Sequence, residues 1–233
     1  MIVRCENREI ALVTQPDHAH FAAEVLRLFR VPELADHPRR QAVLRAVRLH
    51  DNGWRETDAA PRIDPASSLP LAFTEIDLSL RVEIWRRGIL RYRHEDPYVA
   101  LLVLRHGRAL HPEPSGPLAD LFDELEEVSE EWQEDAAVTA DEVEADYPWL
   151  ALGDLISLAA AHHWTAPRSA HGRTVAWHDE RLRIDPFPLA GVTRFHLAAR
   201  TVPRRRYDSD RDFAVTLAMA PWQRLEVRVA PPP

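Results

Sequence analysis

The sequence predicts a mainly α-helical core followed by a small β element. From about residue 15 to residue 163, apolar side chains recur at helical spacing in segments that proline or glycine separates. After Trp164 the pattern changes to short runs in which apolar and polar residues alternate, as they do in strands. We therefore expect a helical domain over residues 1–165 and a β-rich appendage, packed on it, over residues 166–233.

The individual elements follow from these patterns in chain order. A short hairpin over residues 2–14 comes first. Helices are predicted over residues 16–29, 38–51, 76–91, 97–108, 118–135 and 149–163. Residues 53–72 contain three prolines and no periodicity, which predicts a long ordered loop. Strands are predicted over residues 174–177, 182–184, 192–198, 213–218 and 225–229.

The composition excludes several classes of site. The 233 residues carry 37 acidic and 29 basic side chains, and the net charge of −8 argues against a nucleic-acid partner. Every one of the 29 bases is arginine, which excludes a P-loop lysine and a Schiff-base lysine. Cys5 is the only cysteine, so an internal disulfide and a cysteine-ligated zinc or iron–sulfur site are excluded. A metal site must therefore use the 12 histidines and the carboxylates.

The sequence carries no sign of membrane insertion or export. No apolar run is long enough to cross a membrane, and the charged first residues lack the apolar stretch of a signal peptide. These features and the single cysteine favour a cytoplasmic protein without a membrane partner. We expect its partner to be a small-molecule substrate. The sequence does not decide between a monomer and a homodimer.

Five polar residues occupy helix positions where the periodicity calls for apolar ones. They are His18, His50, Asp51, His106 and Asp154. Burying one such group without a partner costs roughly 2–7 kcal/mol, and a typical domain is stable by only about 5–15 kcal/mol. The five groups must therefore satisfy one another or share a ligand. Each one alone also fits a satisfied core histidine or a buried ion pair, whereas the set matches the ligands of a first-row metal ion.

The order of these residues, H…HD…H…D on successive helices, resembles the HD-domain superfamily of metal-dependent phosphohydrolases. The resemblance implies an HD-domain-like helical bundle in which His18, His50, Asp51 and Asp154 hold a divalent metal ion. It also implies that His106 either helps to hold a second ion or contacts the substrate. The identity of the metal stays open, with Mn, Fe, Zn, Co and Mg as the candidates.

A second resemblance covers most of the chain. It rests on residues 15–19 (QPDHA), 50–54 (HDNGW), 104–106 (LRH), 154–158 (DLISL) and 184–188 (IDPFP). These segments are similar to motifs of the uncharacterised bacterial family DUF3891, for which no activity is implied. The usual family form has a second acid after His-Asp, and here Asn52 stands in its place.

The resemblance to HD domains implies hydrolysis of a phosphate ester of a small molecule or nucleotide. Asp51 would orient the attacking water, and His106 would help to hold a second ion or contact the substrate. Arg105 or Arg55, which lie beside the motifs, would bind the phosphate, and Glu56 or Asp58 would act as a general acid. Two alternatives stay open: an HD-like diiron oxygenase, and a non-catalytic protein that binds a ligand or a partner.

Overall fold

Ten α-helices and a curled seven-stranded sheet make up the computed structural model, which describes residues 1–232. The helices are α1 Gln15–Arg27, α2 Pro32–Ala35, α3 Arg40–Leu49, α4 Arg55–Ala59, α5 Leu78–Leu90, α6 Pro97–Leu110, α7 Pro117–Glu127, α8 Ser129–Ala136, α9 Ala140–His162 and α10 Asp210–Met219. The strands are β1 Ile2–Cys5, β2 Glu9–Val13, β3 Arg168–Ala170, β4 Arg173–His178, β5 Arg181–Asp185, β6 Thr193–Pro203 and β7 Trp222–Ala230. Short 3-10 helices cover Asn52–Trp54 and Phe73–Glu75.

The sheet joins the two ends of the chain. Its strand order is β1-β2-β6-β7-β5-β4-β3, and every neighbouring pair is antiparallel except the parallel pair β5 and β7. The N-terminal hairpin enters it through β2, where Ile10 lies opposite Val202 of β6. Strands from both sides of residue 165 therefore hydrogen-bond in one sheet.

This sheet makes the expected fold class wrong. Helices hold about 50% of the chain, but strands hold 19% in a single curled sheet, so the protein is neither all-α nor a mainly helical HD-domain-like bundle. The prediction treated the N-terminal hairpin and the C-terminal strands as separate small elements. Pairing between strands so far apart in sequence leaves no local signature, because each strand shows only its own alternation.

One predicted strand is a helix. Residues 213–218 lie within α10, whose N-terminus is capped by the Ser209 side chain accepting the amide of Asp212. Phe213 and Leu217, four residues apart, are buried, while Val215 between them is 56% exposed. Over so short a segment, this spacing of apolar residues fits the period of a strand as well as that of a helix. The N-terminal cap by Ser209 stabilises the helix.

Helix α9 is longer than predicted and passes through the centre of the helical layer. A capping box between Thr139 and Glu142 starts it nine residues before the predicted start at 149, and Pro148 is accommodated inside the helix. Gly153 lets α9 approach α3, because a Cβ atom there would lie 2.8 Å from Val47 Cγ1. The main core lies between α1, α3, α6 and α9 and the facing strands. No helix within residues 1–232 is long and apolar enough to cross a membrane.

Candidate metal centre

Four helical segments bring five polar side chains to one buried point. His18 comes from α1, His50 and Asp51 follow α3 directly, His106 comes from α6 and Asp154 comes from α9. All five are buried, and the most exposed of them, Asp154, is only 9% exposed. The structure thus brings together every metal ligand that the sequence predicted.

The contacts among these side chains form a continuous chain. Nε2 of His18 lies 2.8 Å from Oδ2 of Asp51, and Nε2 of His50 lies 3.7 Å from the same oxygen. On the other side, Nε2 of His50 lies 3.4 Å from Oδ1 of Asp154, and Nε2 of His106 lies 3.9 Å from Oδ2 of Asp154. All three imidazoles therefore present Nε2 to the carboxylates.

The other ring nitrogen, Nδ1, is held from outside the centre. In His50 it donates to the carbonyl of Val47 at 2.7 Å, and in His18 it lies 2.8 Å from Oγ of Ser157. In His106 it lies 3.4 Å from the hydroxyl of Tyr147. Outer partners of this kind fix the tautomer and the ring orientation of metal-binding histidines. Sequence reasoning missed Ser157, although its position three residues after Asp154 places it on the same face of α9.

One atom of the centre lacks a partner in the protein. Nε2 of His50 is buried and makes no hydrogen bond within residues 1–232, because its contact with Asp154 is not aligned for one. Two groups of three ligand atoms, His18, His50 and Asp51 and then His50, His106 and Asp154, each lie within 4.8 Å of one another. The residues present therefore fit a metal ion, and both groups use His50.

The electrostatics of the centre favour a cation. Burial alone would lower the pKa of His50, but the carboxylates of Asp51 and Asp154 outweigh it and raise that pKa to about 9. Burial disfavours the charge of Asp51, yet His50 and His18 hold the pKa of that carboxyl below its usual range. The pKa of Asp154 is lowered in the same way, against burial, chiefly by His50. Burial lowers the pKa of His106 to about 4, so this ring is neutral at pH 7.

A cavity of about 290 Å³ opens beside the centre. Three of the candidate ligands, Asp51, His106 and Asp154, form part of its wall. The rest of the wall is mostly apolar and aromatic, with a few polar groups: Gln15, Trp54, Phe73, Thr74, Arg81, Trp85, Leu110, His111 and Leu158. A small molecule in this cavity would touch the centre directly.

Arg81 is the cationic side chain in this wall. It donates one long hydrogen bond, 3.4 Å, to the carbonyl of Ile76, and no carboxylate of residues 1–232 lies within 4.0 Å of it. Nearby, Nδ1 of His111 donates to the carbonyl of Gly107 at 2.9 Å, which leaves Nε2 as an acceptor. Burial and the charge of Arg81 lower the pKa of His111. Nothing in the sequence distinguished Arg81 from the other arginines.

Arg105, which was expected to bind phosphate, lies outside this cavity. It forms an ion pair with Glu144, and its guanidinium lies 4.4 Å from the ring centre of Tyr147. One residue along a helix turns the side chain by about 100°, so Arg105 and His106 cannot face the same way.

Glu56 and Arg55 also lie away from the centre. Glu56 is exposed and forms ion pairs with Arg87 at 2.9 Å and with Arg91 at 2.6 Å. These arginines hold the pKa of Glu56 below its usual range, which disfavours a role as a proton donor. Arg55 faces a different cavity.

The fold and the centre together define a protein of helices packed on a largely antiparallel curled sheet, with a buried histidine and carboxylate site open to a small cavity. Residues 1–204 match the family described as Protein of unknown function (DUF3891), and the chain belongs to this family. The matched range contains all five residues of the centre. No curated protein and no solved structure shows a significant match to the chain. The HD-domain resemblance is not confirmed, since the motif order is present but the helical-bundle architecture is not.

Proposed function

We propose that this protein binds one divalent metal ion at the buried centre and hydrolyses a phosphate ester of a small molecule in the adjoining cavity. The observation that carries the proposal is the buried Nε2 of His50. This nitrogen has no hydrogen-bond partner in the described chain, while two carboxylates lie within 3.7 Å of it. A cation satisfies all of these groups at once.

The ligand set limits which metals the site can bind. Three imidazole nitrogens and two carboxylate oxygens suit Mn²⁺, Fe²⁺, Co²⁺ or Zn²⁺ better than Mg²⁺, which prefers oxygen ligands alone. Both possible groups of ligands need Nε2 of His50, and its Nδ1 is already bonded to Val47. One ion therefore accounts for the site, which favours hydrolysis over the diiron oxygenase alternative. A bound divalent ion supplies a water of lowered pKa and polarises a phosphoryl oxygen.

The chain's own side chains provide the rest of the site. The guanidinium of Arg81 donates only to the carbonyl of Ile76 in the described chain, and it is suited to bind the oxygens of a phosphate. Trp54, Phe73 and Trp85 form an apolar wall that holds the organic part of the substrate and excludes water. His111 can accept a hydrogen bond from a substrate hydroxyl through Nε2. The volume of about 290 Å³ limits the substrate to a small molecule.

Elemental analysis tests the metal site. We expect about one ion per chain in the parent protein and in His94→Ala, because His94 is exposed and lies outside the centre. The variants His50→Ala and Asp154→Asn should lose the ion, with circular dichroism used to confirm that they remain folded. Absence of metal from the parent after reconstitution with Mn²⁺, Fe²⁺, Co²⁺ and Zn²⁺ would overturn the proposal.

A second experiment tests the reaction. The metal-loaded parent should release inorganic phosphate from at least one member of a panel of phosphomonoesters, phosphodiesters and nucleotides, and His50→Ala should not. Oxygen uptake by an iron-loaded sample, without phosphate release, would instead support the oxygenase alternative. Metal binding without either activity would support a ligand-binding protein.

A further inference from the structure

A second and larger cavity, of about 480 Å³, lies between the start of α1, residues 55–61, the sheet and α10. It shares no lining residue with the cavity at the metal centre. Its wall combines apolar side chains such as Leu12, Leu217 and Trp222 with four charged ones, Asp17, Arg55, Asp58 and Arg200. The matched family, over residues 1–204, is described as one of unknown function, so family membership assigns no ligand to this cavity.

Two arginines in the wall have no acidic partner. Arg200 donates through Nη1 to the carbonyl of Leu217 at 3.0 Å, and its guanidinium lies 4.3 Å from the ring centre of Trp222. These contacts fix its position, while its Nη2 makes no hydrogen bond within residues 1–232. The side chain of Arg55 is exposed and makes neither a hydrogen bond nor an ion pair with the described residues. Both charges therefore remain available to a ligand.

The two acids in the same wall are already engaged. Oδ1 of Asp58 lies 2.7 Å from the amino group of Met1, and its Oδ2 accepts the amide of Gln15 at 2.6 Å. Oδ2 of Asp17 accepts one hydrogen bond, from the hydroxyl of Thr14 at 2.5 Å. With Asp58 compensated by the amino group, two guanidinium charges face the single remaining charge of Asp17. The cavity therefore favours an anion.

The remaining wall is apolar and extends to an exposed rim. Leu12 and Leu217 lie at the inner side, and Trp222 at the mouth is 56% exposed. Apolar side chains that continue from a cavity to the surface match a ligand with an apolar body.

We propose that this cavity binds a small amphiphilic anion, with a carboxylate or phosphate head group beside Arg55 and Arg200 and an apolar body along Leu217 and Trp222. The head group is recognised by guanidinium hydrogen bonds. This site is independent of the metal centre, and the inference does not rest on the proposed function.

Calorimetric titration with octanoate tests the proposal. We expect one octanoate per chain, no detectable binding of octyltrimethylammonium, which has the same chain with a cationic head, and weaker binding of acetate, which lacks the chain. Arg55→Leu and Arg200→Leu should each weaken octanoate binding at least tenfold. The control Arg194→Leu changes an exposed arginine on the same strand as Arg200 and should leave the affinity unchanged.

Three outcomes would overturn the inference. The first is equal affinity for octanoate and octyltrimethylammonium, and the second is unchanged affinity in both Arg55→Leu and Arg200→Leu. The third is that the protein does not bind octanoate but sediments with phosphatidylglycerol vesicles in an Arg200-dependent way. That result would mean that the arginines and the apolar rim of the cavity bind a lipid surface instead. Octanoate binding that persists in EDTA and in His50→Ala supports a site separate from the metal centre. Since Arg55 is exposed, its variant keeps the test valid should Arg200→Leu fail to fold.

Discussion

Nε2 of His50 lies 3.4 Å from Oδ1 of Asp154, and the two atoms are close without forming a hydrogen bond. The opposite side of the ring is fixed, because Nδ1 donates to the carbonyl of Val47 at 2.7 Å. The ring can therefore not turn to satisfy Nε2 in another way. Without a metal, His50 and Asp154 face each other as opposite charges, and in the proposed metal site a bound ion would take the place of the proton on His50.

Asp154→Asn should lower both metal affinity and the stability of the metal-free protein. The substitution leaves His50 with one buried carboxylate fewer, and breaking a buried ion pair costs about 3–5 kcal/mol. Urea unfolding in the presence of EDTA measures this loss. The control Asp141→Asn changes an exposed acid in the first turn of the same helix and should stay within about 0.5 kcal/mol of the parent. Added Mn²⁺ or Zn²⁺ should raise the melting temperature of the parent and of Asp141→Asn, but not that of Asp154→Asn.

Ser157→Ala should weaken metal binding without removing a ligand. The hydroxyl of Ser157 holds Nδ1 of His18 at 2.8 Å and donates to the carbonyl of Asp154 at 2.9 Å. Loss of such an outer partner typically lowers metal affinity about 10- to 100-fold. Competition with a chromophoric chelator measures the change, and Ser169→Ala, at an exposed serine, serves as the control. An affinity equal to that of the parent would show that His18 needs no support from Ser157.

The sequence located the centre because helical periodicity is local. His18 lies three residues before Phe21, and Asp154 lies four before Leu158, so each position can be judged against its own helix. The pairing of β2 with β6 joins residues that are about 190 positions apart, and neither segment contains a sequence pattern that indicates it. The sheet was therefore missed although its strands were mostly recognised.

For a similar reason, the sequence did not show which arginine side chain lines the cavity beside the metal centre. Arg105 is next to His106 in the chain but points away from it, whereas Arg81 reaches the cavity from α5. Which arginine reaches a site depends on how the helices pack, and packing is a property of the whole fold. With 29 arginines in the chain, proximity in sequence carries little information.

Gly53→Ala should destabilise the protein and disturb the wall that Trp54 forms. A Cβ atom at position 53 would lie 2.2 Å from the carbonyl oxygen of Ile84 and 2.9 Å from the backbone of Gly88. Helix α5 must then move, and overpacking of this kind costs typically about 1–3 kcal/mol. The matched control is Gly191→Ala, where nothing lies within 4 Å of the added atom. Equal urea midpoints for the two variants would contradict this account.

Arg81→Leu should weaken binding of a phosphate ester, whereas Arg105→Leu should not. A charge-assisted hydrogen bond contributes about 1.5–3 kcal/mol, so we expect the KM of the substrate and the inhibition constant of inorganic phosphate to rise about 10- to 100-fold. Arg81→Lys should recover part of this loss, because it keeps the charge but not the planar fork. The metal content should stay that of the parent in all three variants. A larger effect of Arg105→Leu than of Arg81→Leu would place the phosphate on the other side of α6.

His163→Asn should change how stability depends on pH. Burial and the nearby charge of Arg4 lower the pKa of His163 to about 4, from an ordinary value of 6.5. Between pH 6.5 and pH 4 the unfolded chain therefore binds a proton that the folded chain does not, and stability falls as the pH falls through this range.

Asparagine tolerates the left-handed backbone at this position, where φ is 54°, and it does not titrate. The variant loses the stacking of His163 on Trp177, with ring centres 3.9 Å apart, so the parent should be the more stable protein at pH 7.5. Urea unfolding at a series of pH values should show this difference narrowing from pH 6.5 to pH 4.5, whereas a constant difference would mean that His163 titrates normally in the folded protein.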